Sequence, residues 1–82
     1  MIELKDTVEM MLSPDYKERF KAEYYQVAIR YNKLKSMLDK WKMGELGFQP
    51  TCSMAQLEWQ LDAMEDYKSI LETRAKMENI SI

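Results

Sequence analysis

The feature that most constrains the fold is a heptad pattern of apolar and aromatic residues in the first half of the chain. Successive members are four and three residues apart in strict alternation, which is typical of a helix that packs along one seam. The members of this heptad seam are Phe20, Tyr24, Val27, Tyr31, Leu34, Leu38 and Trp41. A seam of this length predicts one long amphipathic helix, and a second helix must cover it.

Signals at both ends limit this first long helix to residues 14–43. Ser13 is expected to act as the N-cap, and Pro14 fits the first helical position, where its missing N–H is not needed. Asp15 places a negative charge at the positive end of the helix dipole. Gly44 is a typical C-terminal cap, because glycine readily adopts the left-handed conformation that ends many helices.

A second long helix is predicted for residues 54–78. Ser53 and Gln56 match a capping box, and an apolar stripe follows at helical spacing. The segment between the two helices, residues 44–52, contains both glycines and is longer than a helical hairpin needs. It therefore either covers the end of the core or helps to form a site. Residues 3–12 carry apolar side chains spaced by four and three, which predicts a short N-terminal helix.

These elements predict a single all-α domain over residues 1–82, an antiparallel hairpin of two long helices with the short N-terminal helix alongside. Each long helix carries a second apolar stripe beside the one that the hairpin buries. These flanking stripes are Tyr25, Ile29 and Met37 on the first long helix, and Trp59, Ala63 and Ile70 on the second. Two helices in contact bury about one stripe each. The sequence therefore predicts a homo-oligomer, most simply a dimer that forms a four-helix bundle, or a higher-order helical bundle.

The residue types argue against several kinds of chemistry. With no His and one Cys, the chain lacks the ligand patterns of zinc sites, and we expect neither a metal nor a cofactor. Cys52 precedes a helix N-terminus but has no His to act as a base, and the two glycines match no phosphate-binding loop. Acid pairs such as Glu58 and Asp62 have the spacing of a solvated helix face. We therefore expect no catalytic residues and no enzymatic activity.

Hydropathy gives an expected location. The longest uninterrupted apolar runs, such as residues 10–12, have only three residues and are far too short to span a membrane. No apolar segment follows Lys5 as it would in a signal peptide. A single cysteine fits a reducing compartment. The expectation is a cytoplasmic protein with no membrane partner.

The net charge of −2 hides an asymmetry between the two long helices. Residues 15–42 contain eight Lys and Arg against four acids, a net of +4, whereas residues 53–82 contain three bases against six acids, a net of −3. One interpretation is two solvated faces that attract each other across the hairpin. The other is that part of the basic helix faces an anionic ligand. Duplex nucleic acid is not expected as a partner, because the acidic helix would repel its phosphates.

The candidate ligand site combines aromatic rings with cations, as nucleotide recognition requires. Its predicted residues are Tyr24, Tyr25, Arg30, Lys33, Tyr67 and Arg74. Arg74 falls on an apolar stripe of the second helix, so it either extends outward to solvent or points into a cleft to hold an anion or a carboxylate. The alternative for the whole set is an ordinary helical bundle with tyrosine hydroxyls at its rim.

The order of motifs resembles a family of very small bacteriophage proteins first grouped around crAss-like phages. The residues that carry the resemblance are 16–20, Glu23, Tyr24, Arg30, Tyr31, Lys33, Leu34, Met37 and Leu38, then Gln60, Leu61, Ala63, Met64, Tyr67, Leu71, Arg74 and Ala75. The resemblance covers about residues 13–78. It implies a phage accessory protein that works in the host cytoplasm, and it supplies no catalytic residues.

By analogy with small non-enzymatic phage proteins that counter bacterial immunity, we expect a sponge. It would sequester a nucleotide-derived signal, such as a cyclic oligonucleotide or an ADP-ribose derivative, in a pocket between subunits. The alternative is a helical module that inhibits or adapts a host or phage protein through its methionine- and aromatic-rich surface.

Overall fold

The computed structural model describes residues 2–82, and in that range the chain is helical with no strands. A short 3₁₀ helix, Leu4–Thr7, leads into α1, Val8–Met11, and the two long helices are α2, Tyr16–Lys42, and α3, Met54–Met77. α2 and α3 pack against each other, and α1 lies against α2. The all-α class and the helical hairpin predicted from the sequence are therefore confirmed.

Contacts at both ends of the hairpin establish its antiparallel direction. At the open end, the Tyr16 hydroxyl donates a hydrogen bond of 2.7 Å to Glu78. At the loop end, the Lys42 ammonium lies 3.2 Å from the Glu58 carboxylate. None of the helices in residues 2–82 is long and apolar enough to cross a membrane.

The start of α2 differs from the prediction in its capping residue. The Asp15 carboxylate accepts a hydrogen bond of 3.0 Å from the Lys17 N–H, so Asp15 is the N-cap and the helix begins at Tyr16. The Ser13 hydroxyl instead accepts a hydrogen bond from the Asp15 N–H at 3.0 Å. The prediction of Ser13 as the cap was wrong, because its side chain closes a local turn one step earlier. The Ser53 cap of α3 is confirmed, since its hydroxyl accepts from the Gln56 N–H at 3.1 Å.

Both long helices end in the same backbone motif. After α2, Gly44 has a φ of +73°, and the Glu45 N–H donates to the Lys40 carbonyl at 2.9 Å. After α3, Asn79 has a φ of +56°, and the Ile80 N–H donates to the Ala75 carbonyl at 2.8 Å. These are Schellman motifs, in which a left-handed residue turns the chain back onto the last helical turn. The second one brings the side chain of Ile80 onto the core.

The best-buried core lies at the open end of the hairpin. Phe20, Leu71, Ala75 and Ile80 form one cluster, and each is at most 6% exposed. Tyr24 and Val27 pack against this cluster with partly buried side chains. Toward the loop end, Leu38 is fully buried, while the other seam residues there are half-buried. The heptad seam is therefore sealed at one end and only partly covered at the other.

The N-terminal segment is held against α2 by one buried polar contact. Thr7 is 1% exposed and donates a hydrogen bond of 2.7 Å to the Leu4 carbonyl. The same hydroxyl accepts from the Gln26 side-chain amide of α2 at 3.0 Å. Because the Thr7 hydroxyl both donates and accepts a hydrogen bond, its burial costs little free energy. The bond from Gln26 fixes the position of the segment on α2.

Candidate functional site

The candidate site is a groove along the C-terminal half of α2, which we call the outer groove. Two cavities of about 390 and 330 Å³ share Asn32 and Lys33 and together make up this groove. The N-terminal segment forms one wall and the loop after α2 forms the other. The remaining lining residues are Ile2, Glu3, Ile29, Ser36, Met37, Lys40, Leu46 and Phe48.

The lining of the outer groove combines apolar surface with positive charge. Lys33 and Lys40 are both exposed, and among residues 2–82 neither ammonium lies within ion-pair distance of a carboxylate. They are two helical turns apart, about 10 Å along the axis of α2. Glu3 brings one carboxylate to the far end, where it pairs with Lys5 at 3.3 Å. The groove can therefore attract an anion and also offers apolar surface to a flat ring.

Tyr24 and Tyr25 lie side by side on α2, and Tyr24 is the one that contacts α3. Their rings meet edge to face with centroids 5.7 Å apart. The Tyr24 hydroxyl donates a hydrogen bond of 2.7 Å to the Glu72 carboxylate on α3. Burial, with this hydrogen bond second, raises the pKa of Tyr24 to about 12, and the same bond lowers the pKa of Glu72. The hydroxyl of Tyr24 is thus already paired within the chain.

Arg74 holds a carboxylate and covers an aromatic ring at the open end of the hairpin. Its guanidinium donates to Glu78 at 3.3 Å and to the Tyr16 hydroxyl at 2.9 Å. The guanidinium carbon lies 5.0 Å from the centre of the Phe20 ring, in cation–π geometry. The hydrogen bond from Tyr16 to Glu78 raises the pKa of Tyr16. Of the alternatives for Arg74, the structure has it holding a carboxylate, that of Glu78, the C-cap residue of α3.

The remaining predicted site residues lie on different sides of the hairpin. Tyr67 of α3 is exposed and donates a hydrogen bond to Glu23 of α2. Arg30 is exposed on α2, and Lys33 lines the outer groove on the side of α2 away from Tyr24, because nine helical residues amount to two and a half turns. Within one chain the structure brings Tyr24 and Tyr25 together. It does not bring all six predicted residues to one cleft.

A third cavity, of about 440 Å³, lies where the C-terminal segment folds back. Tyr24, Glu72, Lys76, Ile80 and Ile82 are among its lining residues. Here a carboxylate stands beside the single ammonium, so the cavity attracts an anion less strongly than the outer groove does. We therefore regard the outer groove as the better candidate for an anionic ligand.

Lys40, Met37 and Phe48 of the outer groove were not among the predicted site residues. Two sequence signals pointed toward them. Met37 belongs to the flanking stripe that the hairpin leaves uncovered, and Phe48 lies in a loop longer than the helix reversal needs. The sequence does not show that this loop turns toward α2 and lies beside Lys40, since that depends on tertiary packing.

The described residues hold no cluster of three or more His, Cys, Asp or Glu side chains that could bind a metal ion. Cys52 is a free, exposed thiol in the loop before α3.

Comparison with known proteins relates the chain to one family. No curated protein and no solved structure matches it. A family model described as Sequestin matches residues 14–77, which include α2, the loop after it and α3. Because this match covers most of the sequence, the chain belongs to the Sequestin family.

Proposed function

We propose that the chain is a non-enzymatic binding protein that sequesters a nucleotide-derived immune signal on behalf of a bacteriophage. The name of its family fits a sequestering protein. The observation that carries the finer proposal is the outer groove, where Lys33 and Lys40 lack carboxylate partners among residues 2–82 and stand beside apolar surface. Cyclic oligonucleotides and ADP-ribose derivatives are the ligand classes with matching chemistry.

The lining suggests how such a ligand would be held. The two ammonium groups would contact phosphate oxygens as point charges. Phe48 is 60% exposed and would offer a ring on which a base could stack. Asn32 and Ser36 would supply donors and acceptors to the base edge or ribose. Arg30, on the same half of α2, would add charge at the margin of the groove.

The other predicted site residues are less available to a ligand than the lysines of the outer groove. Tyr24, Tyr67 and Arg74 already have hydrogen-bond partners within the chain, so a ligand would have to compete with Glu72, Glu23 and Glu78 respectively. Tyr25 has a half-buried ring and would offer an edge or face only at the side of α2. We propose that these four tyrosine and arginine residues have secondary roles and that the lysines of the outer groove have the primary one.

Isothermal titration calorimetry against a panel of cyclic oligonucleotides and ADP-ribose derivatives tests the proposal. The variants Lys33→Ala and Lys40→Ala each remove one charge-assisted contact, so we expect affinity to fall by roughly tenfold to a hundredfold. Lys35→Ala is the matched control, because Lys35 is an exposed lysine of the same helix that does not line the groove. Absence of binding to every compound, or equal losses in all three variants, would contradict the proposal.

We further propose that the protein works as a homo-oligomer in the host cytoplasm. We also propose that it belongs with the small accessory proteins of crAss-like phages. The uncovered surface of α3 supports self-association, since Trp59, Ile70 and Met77 are 70%, 59% and 78% exposed. The same surface favours the second candidate function, a module that binds a host or phage protein. Co-purification of one host protein in fixed ratio, with no bound small molecule, would favour that second function.

A further inference from the structure

The exposed side of α3 carries an apolar stripe that no other part of residues 2–82 covers. The α3 stripe, as we call it, consists of Trp59, Ala63, Ile70 and Met77, all exposed and all on the side of the helix away from α2. Three large apolar side chains in line on one helix are more than scattered surface residues, and such a row marks an interaction surface.

Acidic side chains lie along this stripe. Asp66 falls between Ala63 and Ile70, and Asp62 lies one turn before it on the same side. Both carboxylates are exposed, and within residues 2–82 neither forms a salt bridge. A partner surface must therefore combine apolar side chains with cations.

A symmetric pairing of two α3 helices does not meet this requirement. In an antiparallel pair centred on the middle of the stripe, near residue 68, the two Asp66 residues would be offset by only about 6 Å along the helix axis. Like charges brought together in this way destabilise the interface, and the base of α3 nearest to this side, Arg74, is already bound to Glu78 and Tyr16. The stripe is therefore a poor partner for itself.

The outer groove meets the requirement on every point. Its apolar side chains include Ile29, Met37 and Phe48, and its margin carries the cations Lys33 and Lys40. Neither cation has a carboxylate partner among the described residues. The α3 stripe, which is apolar and flanked by acids, is thus complementary to the outer groove of α2, which is apolar and flanked by bases.

We propose that copies of this chain assemble head to tail, with the α3 stripe of one copy lying across the outer groove of the next. The two surfaces lie on opposite sides of the hairpin, because Lys33 is on the side of α2 away from α3 and Ile70 is on the side of α3 away from α2. A contact between opposite sides cannot close as a two-fold dimer. It closes as a ring of three or more copies or extends as a filament.

This inference concerns the same outer groove as the proposed function, and the two uses of the groove compete. Carboxylates of the next copy would contact Lys33 and Lys40, the ammonium groups that the phosphate oxygens of a ligand would contact. A nucleotide that binds both lysines is therefore expected to weaken assembly. Assembly itself requires no ligand, so it can be tested separately from nucleotide binding.

Charge reversal on each surface provides the test. One variant carries Asp62→Lys and Asp66→Lys, and the other carries Lys33→Glu and Lys40→Glu. Each variant alone places like charges across every contact, so we expect its association in sedimentation velocity to be about tenfold weaker or worse than that of the wild type. In an equimolar mixture, the basic stripe of the first variant meets the acidic groove of the second, and the acidic stripe of the second meets the basic groove of the first.

The mixture is therefore expected to regain assembly, with alternating copies and an even number of copies in any closed ring. Circular dichroism confirms that each variant is folded, and if the lysines disturb α3, Asp62→Asn with Asp66→Asn removes the charges at constant shape. A monomeric wild type, full assembly of either charge-reversed variant alone, or a mixture that stays dissociated would overturn the proposal. A two-fold α3 pair would instead be strengthened by Asp66→Asn and unaffected by Lys33→Glu.

Discussion

The short segment after α3 offers a sharp test of how this small fold is stabilised. Ile80 is 6% exposed and belongs to the core cluster with Phe20, Leu71 and Ala75, although it lies outside the helices. Its side chain is placed there by the backbone turn at Asn79. Replacing Ile80 with alanine should therefore destabilise the hairpin as a core substitution does, and far more than a substitution at an exposed chain end.

The size of the effect follows from what is removed. Isoleucine has three more carbon atoms than alanine, which corresponds to roughly 2.4 kcal/mol of transfer free energy at about 0.8 kcal/mol per carbon. The cavity left behind adds to this, while the segment can partly collapse into it. We expect the free energy of unfolding to fall by about 2–3 kcal/mol. In a domain of this size that lowers Tm by roughly 10–20 °C.

Thermal and urea unfolding followed by circular dichroism measure this loss. Ile82→Ala is the matched control, because Ile82 has the same side chain but is 41% exposed, and we expect a loss below about 1 kcal/mol there. Both variants should be compared with the wild type at one protein concentration, since self-association would make Tm depend on concentration. If Ile80→Ala loses no more stability than Ile82→Ala, the reasoning about the core is refuted.

Three further predictions concern single contacts. Asn79→Ala should lower the free energy of unfolding by about 1 kcal/mol in urea, because Asn79 has a φ of +56° and alanine is strained there. Asn79→Gly should not lower it, and equal losses in the two variants would contradict the role of the left-handed backbone. Ser53→Ala should cost about 1 kcal/mol by removing the cap of α3, while Thr51→Ala in the same loop should leave unfolding unchanged. The pKa of Tyr24 is raised to about 12 by burial and its hydrogen bond to Glu72, so its contribution to stability is complete below pH 10 and is lost as the pH rises toward 12. When phenolate absorbance is followed against pH, Tyr24→Phe should lack the tyrosine transition that occurs at the highest pH in the wild type. A variant that keeps this transition would contradict its assignment to Tyr24.

The architecture could be predicted because it depends on local and periodic signals. The seam from Phe20 to Trp41 repeats at heptad spacing, and Ser53 begins α3 as its capping box indicates. Gly44 ends α2 through its positive φ, which few other residues adopt. These features are readable because a helix and its caps are determined by residues only a few positions apart.

The positions that the sequence did not indicate were determined either by competition between neighbouring side chains or by tertiary packing. Asp15 caps α2 instead of Ser13, since two neighbouring side chains compete for the same turn. Arg74 pairs with Glu78 and stacks on Phe20, a combination that requires the ends of both long helices to be adjacent. The pair with Glu78 follows the four-residue spacing of a helix, but no spacing rule within one helix encodes the contact with Phe20.

The outer groove shows the same limit at the level of function. Lys33 was predicted as a site residue from its charge and its aromatic neighbours in sequence. The partners that the structure gives it are Ile2, from the N-terminal segment, and Phe48, from the loop. Both come from segments far from Lys33 along the chain, so no helical periodicity could relate them to it.

Retention of an intact nucleotide is the most direct test of the central claim. The protein would be incubated with the tightest compound from the calorimetric panel, washed, heat-denatured, and the released compound identified by mass spectrometry. We expect the wild type and Lys35→Ala to release the compound unchanged in mass and in fixed ratio to protein, and Lys33→Ala with Lys40→Ala combined to release little. Release of a cleaved product from the wild type, or no retention by it, would contradict sequestration in the outer groove.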